Sequence, residues 1–192
     1  MTDRFHVQQL VSEAVQDIRI EWRRAALKEE HDHMKHARKE RKPSIPVVYE
    51  NGATTQQLLA RSRYLLVKPS SKWKTQQTER AGILFRKYPQ LKLGDDLSMM
   101  FRACYEYSTS IPEASEKLQA WYRKVEEKTM DTFLTAAESI RFHESTILND
   151  FLNRSTNASA ESFHAKLKNF RTLVRGVRDK KFHLFRIAKL YG

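Results

Sequence analysis

Apolar residues at Leu10, Val11, Ala14, Val15, Ile18 and Trp22 recur with the i, i+3, i+4, i+7 spacing of an amphipathic helix, so the chain enters a helix from Phe5 onward. Past Arg23 the stripe fades into dense mixed charge, Lys28-Glu29-Glu30-His31-Asp32-His33 and then Arg38-Lys39-Glu40-Arg41-Lys42, before Pro43 and Pro46. That pattern predicts a solvated helix end running into a loop. A second helix starts at Thr54-Thr55 and carries Leu58, Leu59 and Ala60. The run Tyr64-Leu65-Leu66-Val67, closed by Pro69, fits a helix end or a short buried strand; four apolar residues are too few for periodicity to separate them. Helical patterns follow at about 75–88, 95–108, 113–127 and 129–152, punctuated by Pro89, Gly94 and Pro112. After a cluster of capping residues from Asn153 to Glu161, Phe163, Leu167, Phe170 and Val174 define a helix over about 158–175 with Gly176 as its cap. Phe182, Phe185, Ile187 and Leu190 mark a last one.

Composition narrows the class. The 192 residues carry 35 Lys and Arg against 23 Asp and Glu, a net charge of +12, with only five Gly and five Pro. Few turn residues disfavour an all-β fold and point to a mainly α, strongly basic protein. No apolar run reaches the roughly 18 residues of a membrane span, and no signal-peptide core opens the chain, so a cytoplasmic protein with no membrane partner is expected. The single cysteine, Cys104, forms no internal disulfide and reads as a core residue. The charge is unevenly spread. From Ser162 to Gly192 there are nine Lys or Arg against one acid, Asp179, two thirds of the whole surplus. On a helix turning about 100° per residue, Lys168, Arg171 and Arg175 fall within about 60° of one another, away from the apolar stripe, with Glu161 close to Lys168. Such a row matches phosphates along a nucleic-acid backbone, because each neutralised phosphate releases condensed counterions. The plainer reading is a solvated face, but soluble faces ordinarily mix both signs.

Other candidates have plain readings too. A carboxylate in a first helical turn, such as Glu161, is favoured by the helix dipole alone, and Asp3 ahead of an amphipathic helix is ordinarily a cap. His33 and His36 have an i, i+3 spacing that suits a transition metal, but no cysteine joins them and their neighbours are charged, so a solvated surface is expected.

Three blocks in order carry a resemblance: Thr2-Asp3-Arg4-Phe5-His6-Val7, Leu58-Leu59-Ala60-Arg61-Ser62-Arg63-Tyr64-Leu65-Leu66, and Asn153 to Lys168 followed by Arg175-Gly176-Val177-Arg178. Together they resemble the DDE transposases of bacterial insertion sequences, of the ISL-three type, over nearly the whole chain. In that family a ribonuclease-H-like sheet holds three carboxylates on two divalent ions, normally Mg²⁺, for DNA strand cleavage and transfer. The resemblance implies that Asp3 is the second carboxylate and Glu161 the third, both catalytic and metal-binding. It implies that Lys168, Arg171, Arg175 and Arg178 hold the DNA of transposon ends. No counterpart of the first carboxylate is found, so a truncated chain with little or no cleavage activity of its own is expected.

The same likeness divides the chain into a partial ribonuclease-H-like core at 1–70, with a last strand at 63–67, a helical insertion at 71–150, and C-terminal helices at 151–192. Missing partner strands would leave that strand's edge and the apolar face of the first helix uncovered, favouring self-association or pairing with an intact transposase. A bacterial, nucleoid-associated location is expected, and the competing class is a non-catalytic DNA-binding or regulatory fragment that dampens transposition.

Overall fold

The computed structural model describes residues 4–153, 158–173 and 179–191, and within them the chain is mainly α, as its composition implies. It divides into two compact units, Met1–Asn153 and Arg154–Gly192. In the first unit the opening stripe becomes α1, Arg4–Lys39. Val7, Val11, Ala14, Val15 and Ile18 are all buried, packed chiefly on α4, Pro89–Glu106, and α6, Asp131–Phe142. Two contacts give the direction. Trp22 lies with its ring centroid 5.1 Å from that of Tyr88, while Ile18 reaches Gly94 further along α4, so α1 and α4 run antiparallel.

Gly94 does not end a helix here. A Cβ at that position would sit 3.3 Å from the Ile18 side chain and 3.4 Å from the Phe133 ring, so the missing side chain is what lets three helices close together. Pro89 likewise opens α4 instead of closing its predecessor, because a first-turn residue has no intrahelical N–H bond to lose. The rest of the core comes from α2, Thr55–Arg61, α3, Thr75–Lys87, α5, Ile111–Lys128, and α7, Glu144–Asn153. Trp121, Tyr122, Phe101 and Phe133 are fully buried, each contributing about 1.5–3 kcal/mol by leaving water. Trp121 satisfies its indole N–H by donating to the Leu97 carbonyl at 2.9 Å. The pattern at 129–152 forms two helices, not one. His143 lies between them, its N–H bonding back to Ile140 at 3.1 Å in a tightened last turn, so that α6 packs on α1 and α7 on α5.

The expected strand at 63–67 is not there. Residues 62–67 form consecutive turns, and an isolated bridge from Val48 to Thr54 is the sole β pairing among the described residues. A strand would send Leu65 and Leu66 to opposite faces, whereas both are completely buried. The carbonyls a strand would offer are already used. Ser62 accepts from Leu65 and Leu66 N–H, Arg63 from Gln16, Leu65 from the Trp73 indole and Val67 from Arg102. With no strand there is no open edge among the described residues, and α1 buries Val7, Val11, Ala14, Val15 and Ile18 while Leu10 of the same stripe stays exposed. Of the two surfaces expected to drive association, the strand edge is absent from the described residues and the α1 face is mostly covered.

The second unit contains α8, Ala158–Leu173, and α9, Lys180–Tyr191. Asp179 caps α9, its Oδ1 accepting from the N–H groups of Lys181 at 2.8 Å and Phe182 at 3.2 Å. Phe170 is the one described side chain of this unit that is buried. Its ring meets His183 at 5.4 Å, and the Arg186 guanidinium lies over it at 5.3 Å. Leu173, Leu184, Phe185 and Leu190 stay exposed.

Candidate nucleic-acid interface

Lys168 and Arg171 stand on α8 one turn apart and are exposed, with the Lys168 carbonyl accepting from the Thr172 hydroxyl at 2.7 Å. Among the described residues, no Lys or Arg of α8 or α9 pairs with a carboxylate. The acid available nearby, Asp179, is engaged as a cap. The first unit behaves otherwise. There Arg141 pairs with Glu126 at 2.7 Å, Lys117 with Glu113 at 2.8 Å and Arg86 with Glu50 at 2.8 Å. Among the described residues the lysine and arginine side chains on α8 and α9 therefore keep their charge uncompensated, which suits a polyanion.

The proposed carboxylates are placed less fully. Asp3, Arg175, Gly176 and Arg178 lie outside the described residues; Glu161 belongs to α8, the helix of Lys168 and Arg171, but its side chain lies outside them too. Among the described residues no group of three or more His, Cys, Asp or Glu gathers to hold a metal ion. His33 shares a 3.1 Å hydrogen bond with the Ser44 hydroxyl and His36 meets Glu40 at 3.0 Å, both on an exposed surface. Cys104 is buried, its thiol pushed up to about 11 by desolvation, so it is protonated at neutral pH and packs as a core side chain.

Two buried charged residues escaped the reading of the sequence. Asp95 on α4 is buried with Oδ1 lacking a hydrogen-bond partner, and desolvation, helped by Asp96 and opposed by Lys92, lifts its carboxyl to about 7. Arg19 on α1 is buried as well. Its Nε donates to Gln16 at 2.7 Å and its Nη1 to the Leu59 carbonyl at 3.0 Å, neither of them charged. Spacing held the signal in both cases: Asp95 follows Leu91 at i+4, and Arg19 follows Val15 at i+4, on the same buried stripes.

What these helices define is a helical, basic protein with a cationic C-terminal segment fit for a phosphate backbone. A family model described as transposase, of the DDE class and ISL-three type, matches residues 1–187, and the chain belongs to that family. The family typically uses divalent metal ions, and membership implies DNA binding. No curated protein and no solved structure matches the chain. No helix among the described residues is long and apolar enough to cross a membrane.

Proposed function

We propose that this chain binds the DNA of transposon ends through Lys168, Arg171, Arg175 and Arg178, and that Asp3 and Glu161 are the carboxylates it brings to a divalent-metal site. The observation that carries the reading is the family match from one end of the chain almost to the other. The unpaired cations of α8 support it, since contacts of that kind position a backbone without reading bases. Two carboxylates are too few to hold a pair of hard cations, which prefer six or more oxygens. Mg²⁺ would supply oxygen activation at such a site only with further oxygen ligands, and the proposal is that this chain binds DNA without cleaving it on its own. This keeps transposase as the family role while the activity of the polypeptide is DNA occupancy.

Affinity for labelled duplex DNA, followed by fluorescence anisotropy over a range of salt, tests the binding. Replacing both Lys168 and Arg171 by Ala lowers the log–log salt slope by about 2. Binding that is absent at low salt overturns the reading. Mg²⁺-dependent nicking of transposon-end DNA that disappears in Glu161→Gln would show an enzyme complete in this chain, and the non-cleaving half of the proposal would be withdrawn.

A further inference from the structure

A second concentration of positive charge lies in the first unit, on α1 and the turn after α2, at residues not assigned so far. Arg19 is enclosed between α1 and the end of α2 with only neutral acceptors on its Nε and Nη1, and Nη2 bonds no protein atom among the described residues. Arg23 follows Arg19 by one turn of α1, and the Gln16 side chain that accepts from Arg19 also donates to the Arg63 carbonyl; burial first, then Arg23, then Arg63, depress the pKa of Arg19. None of these three arginines forms an ion pair among the described residues. A buried guanidinium is ordinarily compensated by a carboxylate, and among the described residues none pairs with Arg19. The backbone that presents Arg63 is firmly held, because Gln16 donates to the Arg63 carbonyl at 3.0 Å and the buried Ser62 hydroxyl donates to the Leu58 carbonyl at 2.6 Å. Next to it Tyr64 is 68% exposed, with the Arg63 guanidinium 5.5 Å from its ring centroid.

We propose that the exposed Arg23 and Arg63, with the charge of the buried Arg19 added to theirs, form a phosphate-binding site for a DNA strand, with Tyr64 as the platform for an unstacked base beside that phosphate. Planar guanidinium forks match phosphate oxygens in pairs, which a lysine cannot do. An exposed aromatic next to such a fork accepts any base face, and stacking of this kind needs a base outside the duplex. The ligand is therefore a single-stranded stretch flanking the duplex rather than the duplex itself. The site rests on the DNA-binding reading above and adds to it a strand contact on the turn after α2.

The test uses the full chain and two labelled DNAs, a blunt duplex and the same duplex with a short single-stranded overhang. Tyr64→Ala weakens overhang binding about tenfold and leaves the blunt duplex unchanged. Arg23→Ala with Arg63→Ala reduces the salt slope for the overhang by about 1.4, as two single-strand phosphate contacts require, while Arg23→Lys with Arg63→Lys recovers only part of the affinity. Far-UV circular dichroism confirms that helicity is kept. Overhang binding by the unaltered chain that is indifferent to all these substitutions overturns this site and leaves the DNA-binding reading intact; no binding of either DNA at low salt removes both. Inorganic phosphate that stabilises the unaltered chain but not the Arg23/Arg63 variant, with no preference for the overhang, would assign the arginines to a free oxyanion and overturn the strand contact.

Discussion

Helices α4, α5 and α6 spend most of their charges on one another, and α8 and α9 hold theirs out. Along α4, α5 and α6, most cations pair with carboxylates on the surface above a core of fully buried aromatic rings. In α8 and α9 one described ring is buried, large apolar side chains remain exposed, and the lysines and arginines have no acidic partners among the described residues. Paired charge thus goes with the packed helices α4 to α6, and unpaired charge with α8, α9 and the arginines of α1 and the turn after α2. A surface whose cations are already neutralised gains little from a polyanion, whereas one left unpaired gains a counterion-release term for each phosphate it covers.

The largest effect that sharpens this contrast comes from the core. Phe133→Ala removes the ring lying against Gly94 and Ile18 and costs about 3–5 kcal/mol in urea unfolding followed by circular dichroism. Phe170→Ala leaves that main transition in place, and an equal loss from both would dissolve the distinction between the units.

Asp95 gives the next effect, with a definite sign. Its carboxyl in the folded chain lies near 7, above its ordinary value of 3.8, so the folded state retains a proton that the unfolded chain has released. Stability is highest below about pH 4, falls as pH rises through the interval to about 7, and levels off above it; the total change is at most about 4 kcal/mol. Asp95→Asn removes this slope. Glu113 runs the other way. Held near 2 by Lys117 and by the Thr109 N–H, it contributes stability that is lost as pH falls from its ordinary 4.5 toward 2, a window below that of Asp95. Denaturation midpoints across pH 2–8 separate the two, and a flat profile from 4 to 7 in the unaltered chain would refute the role given to Asp95.

Asp179→Ala is the smallest. Losing a cap that accepts two N–H groups costs α9 about 1 kcal/mol locally, seen as faster amide exchange in 180–191 with the first unit's midpoint unchanged.

Much of this architecture is legible in the residues because helices announce themselves by period. The stripe from Val7 to Ile18, the capping box in which Thr54 and Gln57 satisfy each other, and the start of α8 at Ala158 all follow from local pattern. The turn at 62–67 does not. Whether Leu65 and Leu66 face opposite ways or one way depends on Gln16, Trp73 and Arg102, side chains that approach from other parts of the chain. The break at His143 is similar, since it is set by the separate packing of α6 on α1 and α7 on α5. Of the site, the exposure of Lys168 and Arg171 could be read from helical spacing, because an exposed face needs no partner to define it. The cluster at Arg19, Arg23 and Arg63 could not, because Arg63 arrives from the turn after α2, which the sequence alone leaves between strand and helix.

Hydrogen exchange of the full chain, alone and with duplex DNA at low salt, reads the division of labour residue by residue. The expected result is slow exchange in α1, α4 and α5 in both states, and amides of 158–173 and 180–191 that exchange quickly alone and slow on adding DNA. Exchange in those two helices that stays the same at saturating DNA, with new protection confined to α5 and α6, would contradict it.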